Sequence, residues 1–233
     1  MTSTLLASPP PAVEGVMARL RILTRASHDT TEREPLAVAL VQQTATREQL
    51  ALLHHAYLII HQALGERLER DADPRFASVW RPEQRRVEDL RADLAEFEAE
   101  GVRPHAGLDC AKAVSNAVRI AHGPPPRVLG ALYVLEGSRL GGAYLAPRVA
   151  AIVGRPLRYY TGHGSATMPA WRAFSARMDA AFPADHDEVI DGAAAAFAAI
   201  GGVMSAVWAA VPPVVAESGQ PERRGAATTP LVD

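Results

Sequence analysis

Cysteine is nearly absent: Cys110 stands alone in 233 residues. One thiol excludes an internal disulfide framework and any multi-cysteine zinc or iron–sulfur site, and it suits a reducing compartment. No nucleophile pattern surrounds Cys110, so an inert, partly buried thiol is expected. An excess of one charge is also missing. The 24 Lys and Arg against 26 Asp and Glu leave a formal net charge of −2, which gives no electrostatic reason to expect nucleic acid as a partner. The first residues, Met1 to Pro11, lack the basic start and sustained apolar stretch of a secretory signal. No uninterrupted, strongly apolar run long enough to cross a bilayer stands out. The segment from Ala193 to Val211 comes nearest, but its Ala and Gly residues are weakly hydrophobic and Pro212-Pro213 stop it. It reads as a buried or half-buried helix. A cytoplasmic protein with no membrane partner is the expectation.

What is present is a globular composition, 48% hydrophobic and 21% charged. The length suits one domain with a core large enough to enclose a cofactor. Residues 1–12, which include Ser8-Pro9-Pro10-Pro11, and residues 217–233, rich in Ser, Gly, Pro, Arg and Thr, read as flexible ends around a single domain at 13–216. Helical periodicity dominates between them. Val16, Leu20 and Leu23 open a helix that runs towards Glu32, and Pro35 starts a second, short one. Thr46 to Gln49 forms a capping box ahead of Leu50, Leu53, Tyr57, Ile60, Leu64 and Leu68. Pro82 begins a helix that stops near Gly101, and Ala111 to His122 form a shorter one. The segment Arg127 to Val153 follows, with a kink or interruption expected at Pro147; Trp171 to Phe182 and Glu188 to Val211 supply the last helices. No stretch alternates as a strand, so the class is all-α.

Two stretches could carry chemistry. In the first, Leu20 to Glu32, residues Arg21 and Arg25 fall two turns and one turn before His28, on roughly its side, and Glu32 falls one turn beyond. A neutral imidazole can ligate a metal through one ring nitrogen while the other donates to a carboxylate, and Glu32 is placed to receive it. The arginines could meet anionic carboxylates. A histidine with a glutamate four residues later is nevertheless common on exposed helices. The second stretch is Leu132-Tyr-Val-Leu-Glu-Gly-Ser-Arg-Leu-Gly-Gly142. Each interior glycine costs a helix about 1 kcal/mol relative to alanine, so Gly137, Gly141 and Gly142 need a compensating reason. Either another helix packs closely against the Gly137–Gly141 pair, or backbone must approach a flat ligand. Spacing alone favours helix packing. The remaining histidines form no site: His54 and His61 are two turns apart, too far to chelate one ion, and no paired Glu-x-x-His motif of a di-iron bundle occurs.

Taken in order and at their separation, the Leu-Arg-x-x-Thr-x-x-x-His-x-x-x-Glu stretch and Leu-Tyr-Val-Leu-Glu-Gly-Ser-x-Leu-Gly-Gly resemble bacterial haem oxygenases. The second is especially similar to the kind that supplies biliverdin to bacteriophytochromes. A looser resemblance extends from about Arg19 to Trp208. It implies an all-α fold with haem b between a proximal and a distal helix. It also implies that haem, as cofactor and substrate, is opened with O2 and external electrons to biliverdin, carbon monoxide and ferrous iron. By position, His28 matches the proximal iron ligand and Glu32 its supporting carboxylate. Arg21 and Arg25 match basic residues near the propionates, and Gly137, Gly141 and Gly142 match the distal-helix glycines. Ser138 stands where many animal members carry an aspartate that organises distal water. Arg177, with Arg172 as alternative, resembles a basic position at the propionate edge. Phe197 fits a pocket wall or an ordinary core aromatic. Tyr57 fits a distal-network tyrosine or plain core. Implied partners are a ferredoxin or NAD(P)H-dependent reductase and a bacteriophytochrome as biliverdin acceptor. A non-degrading haem carrier or sensor is the competing function. A thiamin-degrading enzyme of similar fold ranks below both, because Cys110 lacks the nucleophile pattern.

Overall fold

The computed structural model describes residues 15–104, 107–162, 164–184 and 186–212. The tails expected at 1–12 and 217–233 lie outside the described residues. Among the described residues eleven α-helices follow in order: α1 (Val16–Leu23), α2 (Arg25–Glu32), α3 (Pro35–Gln42), α4 (Arg47–Arg70), α5 (Pro74–Val79), α6 (Val87–Ala99), α7 (Leu108–Val118), α8 (Pro125–Val153), α9 (Arg158–Thr161), α10 (Thr167–Ala181) and α11 (Asp187–Ala210). No strand occurs among the described residues. The capping box forms: Gln49 N–H donates to Thr46 Oγ1 at 3.1 Å, and Thr46 N–H donates to Gln49 Oε1 at 2.9 Å. Gly101 and Gly154, with φ of 80° and 83°, follow the ends of α6 and α8 in the left-handed conformation glycine tolerates.

Several boundaries differ from the periodicity. The helix expected to run from Val16 to Glu32 divides at Thr24, whose φ and ψ are −96° and 2°. There the Thr24 hydroxyl and N–H both donate to the Leu20 carbonyl, at 2.7 and 3.0 Å, a side-chain competition that bends helices. Pro82 opens only a 3-10 turn, Pro82–Gln84, before α6 begins at Val87. The helix expected to reach His122 tightens to a 3-10 turn after Val118. α8 continues through Pro147 without interruption. Pro147 and Ala143, whose carbonyl loses its partner there, are both exposed, so water can satisfy that oxygen. Short helices α5 and α9 are too brief to show a period.

α8 and α11 form the spine. Their backbones meet at Gly130 and Gly192: a Cβ at Gly130 would lie 2.0 Å from the Val189 carbonyl oxygen, and one at Gly192 would lie 2.2 Å from that of Arg127. Two apolar clusters flank this crossing. One joins Leu40, Leu53, Tyr57, Phe97 and Tyr160 to Val149 and Val203. The other joins Leu20, Phe76, Phe174 and Met178 to Leu129, Leu132 and Val189. α11 is the one described helix long and apolar enough by composition to cross a membrane, with mean hydropathy 1.7. That exceeds what its Ala and Gly content suggests, yet Val189, Ala193, Ala196, Val203 and Val207 are buried within the fold, as a half-buried helix requires.

Candidate functional site

α2 buries none of its residues. Its His28 side chain remains 49% exposed, with the ring set edge-on to Phe197 of α11 at 5.7 Å between centroids and an interplanar angle of 76°. Thr31 ties the two helices by donating its hydroxyl to the Phe197 carbonyl at 3.3 Å. His28 Nδ1 faces two carboxylates, Glu32 Oε2 at 3.6 Å and Asp29 Oδ1 at 3.7 Å, both too far for direct hydrogen bonds. Both carboxylates lie on the Nδ1 side, and Nε2 has neither of them as a partner. Arg25 donates Nε to Asp29 Oδ1 at 2.8 Å, and so serves α2 itself. Arg21 lies in the last turn of α1 on the far side of the Thr24 break, exposed, where its charge reaches Tyr133 of α8.

Phe197 links this histidine to a cavity. One and two turns further along α11, Ile200 and Met204 line an opening of about 610 Å³, mouth included. Residues at these spacings share a helix face, so imidazole and cavity meet the same side of α11. Across the opening stand Val134, Leu135, Ser138, Gly142 and Leu145 of α8, with Tyr57, Tyr159 and Tyr160 beneath.

The α8 glycines resolve the alternatives left by their spacing. A Cβ at Gly141 would meet nothing within 4 Å, and one at Gly137 would touch only the Trp171 ring at 3.6 Å. Helix packing at the Gly137–Gly141 pair is thus overturned; the packing glycines are Gly130 and Gly192. Gly142 lies under Tyr160, whose carbonyl oxygen would be 3.4 Å from a Cβ. Of the three glycines, Gly141 is open and Gly142 lines the cavity.

A buried polar group lies below it. Glu136 and Arg139 pair at 3.1 Å, and Arg139 also donates to the Gln84 carbonyl at 2.6 Å. Burial raises the Glu136 pKa and lowers that of Arg139, each opposed by the other's charge. Asp93 accepts the N–H groups of Arg158 and Tyr159 at 2.8 and 2.9 Å and so caps α9. Burial works to raise its pKa, but these bonds and the nearby His54 win and lower it. Arg86 donates to the Tyr159 carbonyl and lies 4.6 Å from the centre of its ring. α9 is thereby held so that the Tyr159 hydroxyl shares a 3.2 Å hydrogen bond with His61 Nε2 and interacts with Ser138. Burial, with Arg86 and Arg139 nearby, lowers the His61 pKa to about 3, so this ring stays neutral. Burial also raises the phenol pKa values of Tyr57, Tyr159 and Tyr160.

Of the residues proposed from sequence, the structure groups His28, Glu32, Arg25 and Phe197 at one end of the α11 face. It groups Ser138, Gly142 and Tyr57 at the other. Arg177 stands apart from His28: its Nε donates to the Val79 carbonyl at 2.9 Å, and its charged neighbours are Arg81, Glu83 and Glu136. Cys110 is buried, and burial pushes its thiol pKa up, consistent with an inert group. Arg86, Glu136, Arg139 and Tyr159 join the site without having been expected there, and His61, read from sequence as forming no site, partners Tyr159. The Glu136–Arg139 spacing, inside the motif itself, was the available signal; nothing local marks Arg86 or Tyr159.

A half-exposed histidine on α2 and a cavity walled by α8 meet the same face of α11, which makes this an all-helical protein of ligand-enclosing build. The sequence profile described as heme oxygenase matches residues 14–206, and the chain belongs to the haem oxygenase family. No curated protein sequence matches significantly. Solved structures of similar fold include the haem oxygenase from Leptospira interrogans, with TM-score 0.72 and 18% identity over 82% of this chain and 98% of that one. Haem oxygenase-2 from Synechocystis, in complex with haem and NO, gives TM-score 0.73 and 20% identity over 84% and 88%. Haem oxygenase-1 from Synechocystis, in complex with haem, gives 0.67 and 19% over 82% and 90%.

Proposed function

We propose that this chain cleaves haem with O2 and external reducing equivalents to biliverdin, carbon monoxide and ferrous iron, with His28 as the iron ligand. The observation that carries this is the shared α11 face, which joins an exposed imidazole, through Phe197, to an apolar cavity lined by Ser138 and Gly142 of α8. The residues present fit haem: His28 Nε2 as nitrogen donor with the Glu32 carboxylate on the opposite side of the ring, apolar walls from Val134, Leu145, Ile200 and Met204, and open backbone at Gly141. Haem supplies the redox chemistry and is itself the ring that is opened. Glu32 holds the His28 tautomer through its negative field, directly or through water. Open backbone at Gly141 admits the ring closely, while the α8 wall limits water. Ser138 and Tyr159 line the cavity and can orient ordered water, and neutral His61 behind them partners the Tyr159 hydroxyl rather than serving as an acid. Arg21 and Arg25 are the exposed cations of the His28 motif that could meet propionates.

A ferredoxin or NAD(P)H-dependent reductase as electron donor, a bacteriophytochrome as biliverdin acceptor, and a cytoplasmic setting complete the proposal. The test is direct. Haem-loaded protein is given reductant and O2 while its visible spectrum is followed. Loss of the Soret band with appearance of biliverdin is expected; a stable oxy complex would make the protein a carrier or sensor. A second measurement isolates the glycine face. Gly141→Leu is expected to leave the melting temperature of the haem-free protein within a few degrees, since the site is open, while weakening haem binding about tenfold or more. Unchanged haem affinity would remove Gly141 from the pocket.

A further inference from the structure

We propose that His28, Asp29 and Glu32 of the haem-free protein form a site for one divalent transition-metal ion on the Nδ1 side of the imidazole. One ligand atom from each residue lies within 4.8 Å of the other two. The Nδ1-to-oxygen separations of 3.6 and 3.7 Å are too long for hydrogen bonds. They are close to the span of about 3.4 Å between two ligands that each sit about 2.1 Å from one tetrahedral ion. The Phe197 contact sets the ring in this orientation, so small carboxylate movements close the site. One imidazole with two carboxylates suits the zinc, cobalt and ferrous class rather than magnesium, which favours all-oxygen, largely hydrated sites. Arg25 opposes the ion, because its Nε already bonds Asp29 Oδ1 at 2.8 Å.

Occupation has a consequence that rests on the haem reading above. Coordination uses the Nδ1 lone pair and leaves the neutral ring's proton on Nε2, the nitrogen assigned to haem iron. Metal and haem then exclude one another. Ferrous iron, which the proposed reaction releases, belongs to the competing class and would hold the emptied protein until removed.

The probe is Co2+, titrated into the haem-free full chain and followed by calorimetry and by its visible d–d bands. One ion per chain is expected, with bands of low coordination number. Asp29→Asn and Glu32→Gln should each weaken binding about tenfold or more, and Arg25→Gln should tighten it severalfold. Absence of Co2+ binding at millimolar concentration, or affinity unchanged in both carboxylate variants, would overturn the site. Asp29→Asn separates the two readings, because it should lose Co2+ yet titrate with haem as the wild type does. Haem binding unaffected by saturating Co2+, with the site otherwise verified, would overturn the exclusion. Normal haem coordination in His28→Ala with Co2+ binding lost would overturn the haem-ligand reading and leave the metal site standing.

Discussion

Replacing His28 by alanine is expected to remove the histidine-ligated haem spectrum and to lower ring-cleavage turnover by about 100-fold or more, because the proximal ligand sets both position and electronics at iron. Folding should survive, since α2 buries no residue and the His28 side chain is 49% exposed. A thermal melt of the haem-free variant should therefore match the wild type. That control separates a missing ligand from a damaged fold. Added imidazole offers a second readout: occupying the vacated space, it should restore much of the spectrum and part of the activity. Glu32→Gln should give a milder loss, about tenfold, as expected for a group acting through the imidazole. Wild-type spectra and turnover in His28→Ala would end the assignment.

Gly130→Ala is expected to be the most destabilising of the conservative substitutions. The added methyl would sit 2.0 Å from the Val189 carbonyl oxygen and 2.8 Å from the Ala193 nitrogen, both backbone atoms that no rotamer change can move. α8 and α11 must separate, which opens the two apolar clusters along their shared crossing. Ordinary overpacking costs about 1–3 kcal/mol. Contact with rigid backbone places this change at or above the top of that range, which corresponds to roughly 10 °C in melting temperature for a domain of this size. Gly192→Ala, with backbone atoms 2.2 Å away, should behave alike. Gly202→Ala is the internal control: it lies in α11 with nothing within 4 Å, and should hold or gain up to about 1 kcal/mol through helix propensity. Equal melts for all three variants would refute the close crossing.

These glycines mark the boundary of what local pattern can reveal. Gly130, Gly137, Gly141 and Gly142 share one helix, and spacing favours the Gly137–Gly141 pair as the packing face. The structure assigns packing to Gly130, whose counterpart Gly192 lies 62 positions away. Spacing counts turns within a helix and carries no information about which neighbour crosses it. The site shows the same division. His28, Glu32, Ser138 and Gly142 stand out through family resemblance, whereas Arg86 and Tyr159 do not. Their roles arise from an arginine on one element reaching a carbonyl on another, and from Asp93 capping a four-residue helix too short to show a period.

The sequence by itself determined the all-α class, most helix boundaries, the inert cysteine and the two motifs that carry His28 and the α8 glycines. Each depends on spacing within a few turns, where 3.6-residue periodicity and capping chemistry act locally. Only the tertiary structure decided that Gly130 is the packed glycine of α8 while Gly141 is open, and that Thr24 divides the first helix. It alone shows that Arg25 is engaged by Asp29 and that α11 joins the imidazole to the cavity through Phe197, Ile200 and Met204. Burial and separation between helices depend on all the packed elements together, and no window along the chain contains them.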